Sequence, residues 1–464
     1  PAAAPQPQAG GGAATPRAHP PHAGVRKTVS DPSMHPPPAR PSNAQSEPEN
    51  LPLTTVTALL FGYIGSKYHG LQKHDRGPPT IEKDLESALI KAGAIVYPVA
   101  PKRDGAGFRN GDLTKCNWSH ASRTDKGVHA VGQCVALTVA SPSPGTSWEA
   151  YCQQLTASVN RCLAEQAKEF FKVDAAEIQV YGMKQVRRGF YDERRIDKAG
   201  MGPGGTRFDA RRDATGRLYE YQCPTAALSR RSDGGFGDFR INPEEIARVN
   251  AVLACYEGSH DFHNFTADKC SDEGPTETVR VVTRFCCGGV RVNCFGVEYV
   301  ALLVEGDSFI YHQIRKMVGL AIYVLKFKEE CDLVPFVKSM IQDQKRRYVP
   351  LAPSLGLMLE RVMFQKENKT HGGYHTLLDF TSVEDQMKEF KVTRVYPEID
   401  AKEQDEQRRP EPAQQIHSCM LIWLKFLERT RQAWSRQFEG LWMPGPTDLD
   451  FLFVQGGGGG GKGG

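Results

Sequence analysis

The stretch Ser119–Val139 reads SHASRTDKGVHAVGQCVALTV. Arg123, Thr124, Asp125, Lys126 and Gly127 sit together, and an alternating apolar run follows. That alternation is the pattern of a half-buried strand. The five residues before it therefore form the turn at the mouth of that strand. Asp and Gly are ordinary turn residues, and a solvated hairpin end would account for them. A carboxylate set between two cations also suits a catalytic acid held in its ionised form. The rest of the chain decides between these readings.

The chain has 464 residues, enough for two or three domains. Its net charge is only +4, so the clustering of cations says more about a polyanionic partner than their total. None of the 12 cysteines forms a C-x-x-C pair, and the adjacent Cys286 and Cys287 are poorly spaced for zinc. They read as free thiols of a reducing compartment. The strongest apolar window, CMLIWLKFL from Cys419, is short and broken by Lys425. It suits a short amphipathic helix, and no membrane span is expected.

Residues 1–50 are rich in Pro, Ala, Gly and His and are expected to be disordered, since they offer little to bury. Arg17, Arg26 and Lys27 admit an organellar transit role for this segment. Globular sequence begins at LTTVTALLFGY from Leu53, a buried strand by its branched residues. TIEKDLESALIKAG reads as a helix capped by Thr80, with Ile81, Leu85 and Leu89 on one face and Gly93 at its end. EIQVYGMKQV, RLYEYQC and GVEYVALLVEG read as further strands. PEEIARVNAVLACYEG reads as a helix from Pro243 to just before Gly258, and YHQIRKMVGLAIYVLK as another.

Strands and helices thus mix through two stretches, 51–186 and 206–382, which predicts an α+β fold with a mostly antiparallel sheet. The charged run 187–205, ending in glycines, reads as an exposed insertion. Residues 383–464 read as a charged linker and low-complexity tail. The segment GSHDFHNFT offers His260 and His263, but two histidines do not complete a zinc site, and no metal is expected.

Five segments, in order, carry a resemblance. They are GYIGSKYHGLQ (62–72), RTDKGVHA (123–130), TRFDARRDATGRLYEYQCPT, GDSFIYHQIRKMVGLAIYVLK and VPLAPSLGLMLERVMF. Together they resemble the TruA family of tRNA pseudouridine synthases, in its eukaryotic branch, over roughly Leu53 to Phe364. The resemblance implies an enzyme converting uridine to pseudouridine in tRNA, around the anticodon stem and loop, and in other structured RNAs. It also implies two similar lobes around the sheet, an RNA-binding cleft between them, a monomer and no cofactor. Residence in the nucleus is expected, with an organellar form as the alternative.

The family's residues carry over as follows. Asp125 is implied as the nucleophile, Arg315 as its partner across the cleft, and Tyr219 as the ring stacked on the target base. Arg123 matches the position that helps flip the base, and Leu357 an apolar position near the base pocket. Lys67, His69, Arg211, Arg217 and Lys316 lie in or beside the motifs and are expected to bind RNA, as interleaved cations and rings do. Tyr221, on the same strand face as Tyr219, is expected to pack. Two other functions are weighed: a catalytically silent RNA-binding or folding protein on the same scaffold, and a glycosidase-like hydrolase. The second would want a second carboxylate as acid, where the motifs supply Arg and Tyr.

Overall fold

The computed structural model describes residues 54–74, 77–95, 113–172, 175–186, 208–230, 239–267, 278–367, 374–378 and 381–405. It also describes Trp423, Lys425, Phe426, Arg429, Thr430, Gln432 and Ala433. The segment 1–50 and the insertion 187–205 lie outside the described residues.

In chain order the elements are β1 (Thr54–Tyr63), α1 (Ile81–Lys91), β2 (Ser119–His120), β3 (His129–Ala140), α2 (Trp148–Gln166) and β4 (Ile178–Gln185). Next come β5 (Gly216–Pro224), α3 (Thr225–Leu228), α4 (Pro243–Leu253), β6 (Gly258–Asp261), β7 (Val279–Val292) and β8 (Glu298–Gly306). The last are α5 (Gln313–Phe327), α6 (Leu333–Gln342), β9 (Leu357–Glu367), β10 (Tyr374–Leu378), α7 (Glu384–Phe390) and α8 (Tyr396–Asp405). The fold is α+β, as the mixing of periods implies.

Local chemistry sets the helix starts. Asn242 caps α4 in a reciprocal box with Glu245, and Pro243 fills the first turn, where its missing N–H costs nothing. Thr80 takes the N-cap position of α1, but its side chain makes no capping bond. The helix expected to run to Gly258 stops at Leu253 and passes through a 3₁₀ turn, Ala254–Tyr256, into β6.

Among the described residues ten strands form one sheet in the order β4-β1-β3-β9-β5-β8-β7-β6, with β2 on β3 and β10 on β9. Every pairing is antiparallel except β3 with β9, which run parallel at His129↔Met358 and Ala130↔Leu359. That short parallel seam joins strands drawn from 51–186 to strands drawn from 206–382. The turn before β3, the start of β9 and β5 therefore meet near the middle of the sheet.

The reading of 383–464 as linker and tail gives way over 383–405, while the low-complexity end, 434–464, lies outside the described residues. The first part is helical, and Met387, Phe390, Val395 and Ile399 are buried in the main core. The apolar spacing slips because a π-helical turn, Lys391–Val395, inserts an extra residue between Phe390 and Val395. Further on, Trp423 is 1% exposed and packs edge-on against Tyr221.

Candidate active site

Residues 121–128 form the turn that enters β3, and the surrounding strands hold it by its main chain. Gln133 donates to the Ser122 carbonyl, and Arg217 of β5 donates to that of Ala121. Tyr63 of β1 bonds Thr124 through its hydroxyl at 2.6 Å. Gly127 has φ +79, the left-handed conformation that favours glycine, and packs close to the Ser354 hydroxyl. The turn is a rigid mount for Asp125, not a loose hairpin end.

Arg315 reaches the same point from the first turn of α5. Its Nε donates to the Ala352 carbonyl at 2.8 Å, and Nη1 lies 4.0 Å from Asp125 Oδ2. Burial pulls Arg315 below the ordinary arginine range, opposed by Tyr221 and Asp125, and the guanidinium stays charged. His312, next to this helix, places Nε2 3.6 Å from the same Asp125 oxygen. Its φ of 68 is a left-handed conformation that non-glycine residues seldom adopt. Burial and the charges of Arg315 and Lys316 push the imidazole down to about 4. It is therefore neutral at pH 7, and its contact with Asp125 is not an ion pair.

Tyr219 of β5 is 5% exposed, bonds Ser122 Oγ through its hydroxyl at 2.6 Å, and meets Phe309 edge-on. Burial pushes its phenol up to about 12, against the bond from Ser122 and the charge of Arg217. The ring is therefore a neutral phenol at pH 7, able to stack and to donate.

Asp125, Tyr219 and Arg315, with Arg123, Arg211 and Leu357, line one cavity of about 920 Å³. Among its described lining residues five are arginines and Asp125 is the only acid. Such a wall suits a polyanion.

The other expected contacts lie elsewhere or are engaged. Lys67 pairs with Glu177, His69 is exposed outside the lining, and Lys316 donates to the Asn264 and Thr266 carbonyls. Arg217 lines the cavity, but its guanidinium is buried and donates to the carbonyls of Ala121, Ala214, Asp307 and Arg211. Its reading as an RNA contact gives way to that of a brace for the Asp125 turn. Tyr221 bonds the Pro353 carbonyl and packs, as expected. His260 bonds the Glu257 carbonyl, and His263 lies beside Asp261.

Sequence reasoning missed Ser122 and Phe309, and took His312 only as a ring interleaved with the cations, not as a neighbour of Asp125. Ser122 adjoins the motif, and the other two lie within GDSFIYHQIRKM, so the segments were found but not these roles.

A carboxylate thus faces a guanidinium in a basic cavity. A family model described as tRNA pseudouridine synthase matches residues 252–365. The mouse protein named pseudouridylate synthase 1 homolog is 34% identical over 370 residues, spanning 78% of this chain and 73% of its own. The human protein of that name is 33% identical over 356 residues, spanning 75% and 70%. The tRNA pseudouridine synthase 1 of Yarrowia lipolytica is 28% identical over 409 residues, spanning 75% and 71%. The chain belongs to the tRNA pseudouridine synthase family.

Proposed function

We propose that this protein isomerises uridine to pseudouridine in tRNA, around the anticodon stem and loop, and in other structured RNAs, with Asp125 as the nucleophile. The observation that carries the reading is the meeting of Asp125, Tyr219 and Arg315 at one cavity, from three separate parts of the chain. A scaffold that only held RNA would have no need to bury a guanidinium opposite a carboxylate.

The reaction breaks the bond from C1′ to N1, rotates the uracil, and joins C1′ to C5. The proton on C5 leaves and N1 gains one, so atoms and electrons balance without an oxidant or a metal. The Asp125 carboxylate supports this by stabilising the cationic sugar carbon or by adding to the base. Arg315 sets a positive charge 4.0 Å from that carboxylate. Tyr219 offers a ring face to the base. Arg123 faces the space the base leaves, offsetting part of the few kcal/mol that flipping costs. The sheet halves on either side of the β3–β9 seam are the two lobes, and the RNA lies across the cleft between them. The protein acts as a monomer in the nucleus.

The test is release of tritium from tRNA carrying 5-tritiated uridine. Asp125→Asn keeps shape and loses charge. It should abolish release while holding tRNA affinity within a few-fold. Normal release by Asp125→Asn would remove Asp125 from the mechanism.

A further inference from the structure

Beside the cavity a carboxylate, an imidazole and a guanidinium form a chain. Glu82 lies in the first turn of α1, and its side chain is 4% exposed. Its Oε1 is 2.8 Å from His120 Nδ1 and accepts from Trp118 Nε1 at 2.8 Å, while Oε2 accepts from the Lys73 N–H. On the far side of the ring, Arg123 Nε donates to His120 Nε2 at 3.3 Å. His120 and Arg123 line the cavity.

The chemistry of the end members sets the ring between them. A carboxylate only accepts and an arginine N–H only donates. His120 must therefore carry its proton on Nδ1 and present a lone pair at Nε2. Glu82 is buried and takes three donors, from His120, from Trp118 and from the Lys73 N–H. A buried, ionised carboxylate thus holds one tautomer, in the way that second partners orient a metal-bound histidine.

Arg123 is otherwise an exposed side chain with a flexible stem. An unheld arginine must give up rotamer freedom to adopt one pose. The bond to His120 uses Nε and leaves the Nη1–Nη2 edge, which grips phosphates on two points, turned away from the ring.

We propose that Glu82 and His120 are positioning residues that hold Arg123 at the cavity mouth, ready for the substrate RNA. This rests on the cavity being the RNA site. It adds two residues, one of them outside the cavity wall, to the machinery that places the target nucleotide.

The test is a double-mutant cycle on the full chain with uridine-containing tRNA, reading kcat/KM and Kd together. His120→Phe removes the acceptor and keeps a ring. Glu82→Ala removes the anchor, and also strips partners from Trp118 and Lys73, so thermal melting follows it. If it does not fold, His120→Phe carries the test. Each variant should lose about tenfold with Arg123 present and less than about twofold in the Arg123→Ala background. A role in folding alone would give the same loss in both backgrounds, and that result overturns the proposal. A protein that binds tRNA without isomerising it would sink the functional reading, while the cycle stays readable in Kd.

Discussion

Asp125 and Arg315 are far apart in sequence, and no local pattern relates them. The sequence marked each through its own motif, and the fold brings their charged atoms to 4.0 Å. What the motifs did not carry is the support of each side chain. Arg315 is aimed by the Ala352 carbonyl, and Asp125 by a turn braced from β1 and β5. Backbone carbonyls have no sequence signature, so these supports were illegible. The same holds for Arg217: its type suggested RNA, whereas its burial commits its donors to main chain. The pairing makes a prediction. Arg315→Leu leaves a carboxylate facing an apolar side chain in a partly desolvated site and should lower kcat by about a hundredfold or more. Arg315→Lys should recover only part of this, because Lys cannot bond Ala352 and face Asp125 at once with a planar fork. Single-turnover rates of the two variants check this, and equal rates would show that the fork does not matter.

Among the elements, β1 stands where its branched residues placed it, and β3, β8 and α5 where their patterns did, but β3 is buried along nearly its whole length and not half-buried, because it lies inside the sheet with both faces covered. β7 was not legible, because its two faces are largely exposed and no apolar alternation marks it. α5 carries a further consequence for the site. Gly319 sits inside this helix, where glycine ordinarily costs about 1 kcal/mol relative to alanine. A Cβ there would lie 2.2 Å from the Pro350 carbonyl oxygen, so the residue is small to let the 349–352 segment approach. That same segment supplies Ala352, the partner of Arg315. Gly319→Ala should therefore destabilise the fold by about 1–3 kcal/mol through overpacking. It should also lower turnover more than tRNA affinity, since the displaced segment aims Arg315. Urea melts and single-turnover rates measure the two effects. An unchanged rate in a destabilised variant would separate the packing from the site.

At the scale of the whole molecule, residues 383–405 lie across both sides of the parallel seam. From this strap Phe390 meets Tyr181 of β4, Arg394 donates to the Ala176 carbonyl, and Glu398 bonds Ser66. On the other side Lys391 meets Glu220 of β5 at 3.2 Å and Glu360 of β9 at 2.7 Å, and Asp400 takes Arg291 of β7 in two bonds. The resemblance stopped short of this strap, and the π-turn hid its apolar period, so its charges dominated the sequence reading. Among the described residues, Lys391, Arg394, Glu398 and Asp400 are partners of groups on the sheet and its flanks. Glu220 lies between Tyr219 and Tyr221 and points away from the cavity, so the strap closes the face opposite the site. Lys391 is the test of this joint. Burial would lower its pKa, but the carboxylates of Glu360 and Glu220 outweigh that and hold it charged. Lys391→Met removes the cation and leaves two buried acids facing each other, which should cost about 3–5 kcal/mol at pH 7. The sign of the pH dependence follows from Glu360. Burial, with the charge of Glu220, raises its folded pKa above the unfolded value even against Lys391, and losing Lys391 raises it further. The folded form then takes a proton more readily than the unfolded one, so the deficit of the variant should shrink as pH falls from 7 toward the ordinary carboxylate range. Denaturant melts of both proteins across that window measure it. A deficit that stays constant with pH, or none at pH 7, would mean that the strap is not held by this charge cluster.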